Sequence, residues 1–188
     1  MERIHQTESA RKRRVQLEEA LLTLMRTKGY AQTTVTDICR TADIPRRTFY
    51  HYFDCKESVL RAVVERMLQE CSLEVMMEFD RGIDALRESM IRNFRYWQGD
   101  AREKLDLLLD NGLSVEMMRS ALRWLATERI SLPRRPGVSE EEYEVFTMLG
   151  ISGFFTLLMY WRKNGYRETP EKMAEISIRF LSQPLFPV

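Results

Sequence analysis

The stretch TTVTDICRTADIPRRTFYHYF, Thr33 to Phe53, decides the fold. It reads as two short helices separated by a turn, a helix-turn-helix. Thr34 supplies a hydroxyl that accepts an orphan backbone N–H at a helix start, and Asp37, three residues on, completes a capping box, so the first helix begins near Val35. Its apolar positions, Val35, Ile38, Cys39 and Ala42, recur three and four apart and turn inward, while Thr36, Asp37, Arg40 and Thr41 turn outward. Pro45 suits the first turn of the next helix, where its missing N–H would be unpaired anyway and its fixed φ is already helical. That second helix projects Arg46, Arg47, Thr48, Tyr50, His51 and Tyr52, leaving Phe49 and Phe53, four apart, as its anchors. A helix buried on all sides could not accommodate that set.

Working outward, the preceding helix carries Leu17, Ala20, Leu21, Leu24 and Met25 on one face and stops at Gly29, a natural C-cap. After Phe53, Asp54 and Glu57 predict a second capping box, opening a longer helix with Val59, Leu60, Val63, Val64, Met67, Leu68 and Cys71 on its apolar face. Taken in order and spacing, residues Val15 to Val64 resemble the DNA-binding domain of the tetracycline-repressor (TetR) family of bacterial transcriptional regulators. The shared elements include the Gly29-Tyr30 pair, the aromatic second helix and the Lys56-Glu57 pair after it. Asp43 and Arg47 depart from the family, many of whose members carry glycine there. Asp tolerates the left-handed conformation of a turn, so Asp43 leaves the fold intact.

The resemblance implies an operator-binding surface. Arg46, Arg47 and Thr48 would face the major groove, where an Arg can bind guanine bidentately. Tyr50 and His51 would touch phosphates or base edges, Tyr52 and Lys56 phosphates, and Thr36 would reach the groove from the first motif helix. Thr34 and Pro45 would belong to the same DNA-binding surface. The basic run Arg11 to Arg14 is suited to phosphate contact too. Charge follows this division: residues 1–56 hold 11 Lys/Arg against 7 Asp/Glu, and the remainder 18 against 21.

The rest of the chain continues in helical periods. Ile83, Leu86, Met90, Phe94 and Trp97 form a stripe ending at Gly99, Asp100 and Glu103 cap a short helix, and Ser114 opens another through Met117, Met118, Ala121, Leu122, Trp124 and Leu125. Residues 131–137 read as a loop. Ser139 and Glu142 make a capping box for a helix that includes Phe146, Leu149, Phe154, Leu157, Leu158 and Trp161, and Thr169-Pro170 starts the last one. No strand-period alternation appears, so the expected fold is all-α with about nine helices. The expected division is a reading domain over residues 1–56 and a helical regulatory and dimerisation domain over 57–188, joined by the connecting helix.

An enzyme finds little support. The two histidines, His5 and His51, belong to no HExxH, zinc or triad pattern, and no phosphate-binding loop appears. No cofactor or metal is expected. Three cysteines without a CxxC pair read as reduced thiols. The longest apolar region, Leu149 to Trp161, is shorter than the roughly 18 to 20 residues a bilayer requires, and the start of the chain lacks a secretory h-region. A cytoplasmic protein follows, with no membrane partner. The resemblance implies a homodimeric repressor released from a palindromic operator by a small molecule. The expected pocket is lined by Phe94, Trp97, Met118, Trp124, Phe155 and Met159, since methionine suits an adaptable cavity. The expected dimer contact uses Gly150 and Gly153, which permit close helix approach, beside Phe154 and Leu158. The alternative is a helical DNA-binding or adaptor protein with no pocket, governed by a protein partner or by abundance.

Overall fold

The computed structural model describes residues 8–71, 82–128 and 137–182. Among them every regular element is a helix: α1 (Glu8–Thr27), α2 (Val35–Ala42), α3 (Arg46–Phe49), α4 (Lys56–Glu70), α5 (Ile83–Gln98), α6 (Arg102–Asp110), α7 (Ser114–Glu128), α8 (Glu140–Lys163) and α9 (Pro170–Ser182). The all-α expectation holds. Most of the loop read over residues 131–137, and the side chains of Leu125 and Phe146, lie outside the described residues. None of the described helices is long and apolar enough to cross a membrane.

Two compact units divide the chain, one taking residues up to Arg66 together with Leu107–Met117, the other Met67–Asp106 and the chain from Met118 on. Compactness therefore does not cut at residue 56: the first turns of α4 pack with the helices before them.

In the first unit the core is built where the apolar periods point, with Leu17, Leu21, Ile38, Phe49, Val59 and Val63 all fully buried, and Leu22, outside the expected stripe, buried with them. The capping box of α2 forms as its spacing predicts: Asp37 N–H donates to Thr34 Oγ1 at 3.2 Å, and Thr34 N–H donates to Asp37 Oδ2 at 3.0 Å. Asp43 ends α2 at φ 52, ψ 44, the left-handed turn that aspartate tolerates. Pro45 takes the N-cap position itself, with α3 beginning one residue later than expected. The cap expected from Asp54 and Glu57 is replaced by one at Cys55, whose N–H donates to Ser58 Oγ at 3.2 Å and whose carbonyl accepts from the same hydroxyl at 2.7 Å. A short hydroxyl close to its own backbone wins that competition. Across the unit, Arg66 of α4 lies with Nε 2.9 Å from the buried Glu18 carboxylate and donates from Nη2 to Glu19 Oε1 at 2.9 Å, fixing α4 against α1.

Asp37 also receives Lys28 Nζ at 2.6 Å and Arg40 Nη2 at 2.9 Å. The Lys28 bond first, and then those from Thr34, hold its carboxyl well below the usual carboxylate range. Because the native pKa is depressed, these bonds stabilise the fold fully above the ordinary carboxylate value of about 4 and are lost as pH falls below it toward the native value. Asp37→Asn is accordingly expected to lower stability at pH 7, and the gap from the parent to narrow below about pH 4, as read by urea unfolding across that range.

The second unit is organised around aromatic rings. Phe94 of α5 meets Trp161 of α8 edge-on with centroids 5.4 Å apart and Phe154 at 5.4 Å, and Trp97 meets Phe155 at 6.2 Å. Helix α9 packs along α5, and Arg95 Nη2 donates to Glu171 Oε1 at 2.6 Å between them. The C-terminal end of α8 is tied to α6: Asp106 Oδ1 accepts from Arg162 Nε at 2.6 Å and from Tyr166 Oη at 3.1 Å. Two members of the expected apolar stripes face outward instead, Ile83 at 48% and Leu149 at 64% exposure.

Candidate nucleic-acid interface

Helix α3 is shorter than the sequence suggests. After Phe49 the chain tightens, with His51 N–H donating to Thr48 O at 3.1 Å and Tyr52 N–H to Phe49 O at 2.9 Å, three-residue steps that turn it toward α4. The reading segment is therefore one α-helical turn followed by a 3₁₀-like turn.

Two anchors hold this segment from below. Phe49 is fully buried and Phe53 nearly so, their centroids 6.0 Å apart. The Arg14 guanidinium sits over the Phe53 ring at 4.9 Å, so the last of the four basic residues starting α1 is a clamp on the reading segment. Above the anchors the expected DNA-facing side chains emerge. Thr36, Pro45, Arg46, Arg47, Tyr50 and His51 are exposed, and Thr48, Tyr52 and Lys56 half-exposed.

Their freedom differs. Arg46 Nη2 donates to Tyr50 Oη at 3.3 Å, one helical turn on, and the Tyr50 ring stands edge-on against Phe49 at 5.3 Å. This pair is braced by its own helix. Arg47 is exposed and has no polar side-chain partner among the described residues, which leaves its five donors available. Thr34 is exposed, but its hydroxyl is engaged in the cap, donating to Asp37 Oδ2 at 2.7 Å. Lys56 is also engaged: its ammonium lies 4.4 Å from the centre of the Tyr30 ring and donates to Tyr30 O at 3.0 Å. The residue that sequence reasoning missed is Asn111, whose Oδ1 accepts from Tyr30 N–H at 2.6 Å across a separation of 81 residues. No local pattern could signal it, since Asp110-Asn111-Gly112 reads as an ordinary helix stop.

The residues expected to line a pocket or a dimer contact fall into two classes. Phe94, Trp97, Trp124 and Phe155 are at most 7% exposed, whereas Met118 and Met159 are half-exposed. Of the dimer residues, Gly150 and Gly153 are exposed, Phe154 packs against Phe94, and Leu158 is wholly buried within its own chain.

Comparison with known proteins accords with this geometry. Residues 18–63 match the family model described as bacterial regulatory proteins, tetR family. The chain is 36% identical over 67 residues to the HTH-type transcriptional regulator EthR of Mycolicibacterium smegmatis, a match covering 36% of this chain and 27% of that protein. It is 39% identical over 54 residues to the HTH-type dhaKLM operon transcriptional activator DhaS of Lactococcus lactis, covering 29% of each. The aligned region thus spans about a third or less of these curated relatives. Among solved structures, a TetR transcriptional regulator from Streptococcus agalactiae has a TM-score of 0.57 at 17% identity, covering 92% of this chain and 95% of the other. The fatty acid degradation regulator FadR from Bacillus halodurans has a TM-score of 0.53 at 16% identity, covering 92% and 96%. At that identity these two establish the fold and nothing finer. Residues 18–63 therefore form a helix-turn-helix domain of the kind described by the model of bacterial regulatory proteins, tetR family.

Proposed function

We propose that the chain is a transcriptional repressor that binds an inverted-repeat operator as a homodimer, one reading segment from each protomer entering the major groove. The observation that carries this is the outward display of Arg46, Arg47, Tyr50 and His51 on a segment whose aromatic anchors are buried beneath it. Residues 1–56 supply the reading function and 57–188 dimerisation and control. The sign of control follows from where the operator lies relative to a promoter, so repression is the part of the proposal that rests on the family alone. Phe154 and Leu158 are occupied within the protomer, and the dimer contact accordingly passes to the exposed face of α8 around Gly150 and Gly153.

Selection of bound sequences from random duplex DNA should enrich an inverted repeat with two equivalent half-sites. Arg47→Ala is then expected to cost about 1 to 3 kcal/mol on the selected duplex and to relax base preference at one position per half-site. Enrichment of no repeat, or an Arg47→Ala protein that binds the selected duplex like its parent, would count against the assigned surface.

For control, a small apolar molecule entering the second unit would act by favouring one spacing of the reading segments over another. The candidate lining is Phe94, Trp97, Met118, Trp124, Phe155 and Met159. The interlocked rings of Phe94, Trp97, Phe155 and Trp161 favour a second reading as well, in which this interior is solid core and the regulator answers to a protein partner or to its own abundance.

A further inference from the structure

We propose that Asn111 is a positioning residue for DNA binding: through Tyr30 it holds the Lys56 ammonium where it meets a phosphate. This rests on the reading of Lys56 as a phosphate contact and goes beyond it by naming what aims the lysine.

Helix α1 ends through Gly29 at φ +81, and backbone groups just past a helix end have no helical partner of their own. Tyr30 stands there with both of its backbone groups committed. Its N–H donates to Asn111 Oδ1 at 2.6 Å, and its carbonyl accepts from Lys56 Nζ at 3.0 Å while its ring lies beneath the same ammonium at 4.4 Å. Asn111 is itself fixed, because its Nδ2 donates to Leu107 O at 2.8 Å. The two bonds demand opposite ends of the amide, so its orientation is determined. The segment Leu107–Met117 belongs to the same compact unit as Tyr30 and Lys56.

The consequence concerns an ammonium with three donors on a flexible four-carbon stem. Tyr30 O takes one donor, and Ala31 O, at 3.5 Å on the exposed side, takes a second more weakly. A third remains for an anion beside the first turn of α4. With the Gly29–Tyr30 peptide pinned by Asn111 on one side of the Tyr30 Cα, carbonyl and ring form a fixed seat. Thr33 N–H also donates to Tyr30 O, at 3.1 Å, so loss of Asn111 leaves the carbonyl held from one side only and releases the Gly29–Tyr30 peptide that sets the ring.

The test uses the intact chain and a labelled 30-base-pair duplex of mixed sequence, with affinity measured by fluorescence anisotropy across a series of KCl concentrations. Lys56→Ala should reduce the slope of log affinity against log salt by about 0.9 for each protomer bound, the share of a single neutralised phosphate. Asn111→Ala, which removes no charge, should reduce the slope by the same amount, and the double variant should fall no further than either single one. Exchange of the Tyr30 amide should quicken in Asn111→Ala while the amides of α1 stay protected, showing a folded protein. Should the alanine variant fail to fold, Asn111→Gln keeps the amide but carries its oxygen one methylene beyond the present bond, and the same reduction in slope is expected. An Asn111 variant with the parent slope, or a double variant whose reduction is the sum of the singles, overturns the role of Asn111 alone. A Lys56→Ala protein with the parent slope instead overturns the phosphate reading beneath it.

Discussion

Leu149→Asp should convert a dimer into a folded monomer and lower affinity for the selected operator by about 100-fold or more, the factor at stake when two linked sites no longer bind together. The expectation comes from the outer face of α8. Val145, Leu149, Gly153, Thr156 and Tyr160 follow one another at steps of three and four and so share a stripe, with Met148 and Gly150 beside it. Exposure is 50% at Val145, 55% at Met148, 64% at Leu149 and 62% at Tyr160, and Ile176 on α9 is 44% exposed. Single exposed apolar residues are ordinary, whereas Val145, Met148 and Leu149 clustered on one helix, with Tyr160 farther along the same stripe, mark a surface suited to being covered. Glycine inside a helix costs roughly 1 kcal/mol against alanine, and two in one four-residue span are hard to explain unless another backbone comes close.

The protomer itself does not require Gly153, since a Cβ there would meet nothing within 4 Å. Gly153→Leu should therefore fold normally and still weaken association. Because Leu149 is exposed, its replacement leaves the protomer core untouched. Sedimentation equilibrium at micromolar concentration reads the outcome. A Leu149→Asp protein that remains dimeric would move the interface elsewhere.

What could be read from the sequence was local. The capping boxes at Thr34–Asp37 and Ser139–Glu142 span three residues each, and both form as their spacing predicts. The same logic failed at Asp54–Glu57 because a second candidate, Cys55–Ser58, occupies the same window, and sequence does not rank the two. Helical periodicity located the apolar stripes but not what covers them, which is why Leu149 read as core although it is the most exposed large apolar side chain of the described residues. Bonds between distant segments were illegible altogether. Asn111 to Tyr30, Arg162 to Asp106 and Arg66 to Glu19 join residues 81, 56 and 47 apart, and the partner of each is one polar residue among many until the fold chooses it. Candidate DNA-facing residues could be named from the sequence because several constraints coincide in about twenty residues: a cap, a turn, a proline and two aromatic anchors.

Trp97→Ala is the variant that separates the two readings of the second unit. Trp97 is 1% exposed, stands edge-on to Tyr96 at 5.3 Å and to Phe155 at 6.2 Å, and donates from Nε1 to Asn93 Oδ1 at 3.1 Å. The Cys71 thiol donates to the same oxygen at 3.0 Å, and burial pushes its pKa up to about 12, so it stays a protonated donor through the neutral range. A ring packed on its faces and satisfied at its nitrogen behaves as core, and truncating such a tryptophan costs about 3 to 5 kcal/mol through forfeited transfer energy and the cavity left behind. A ring lining a ligand cavity already faces empty space, and its removal costs much less. Urea unfolding of Trp97→Ala is expected to give the larger loss, with Met118→Ala and Met159→Ala each within about 1 kcal/mol of the parent, because those side chains are half-exposed. That pattern would favour the reading of this interior as solid core and take Phe94, Trp97 and Phe155 out of any ligand lining. The reverse pattern, a mild loss at Trp97, would place the effector among the rings themselves and remove the case for a regulator without a pocket.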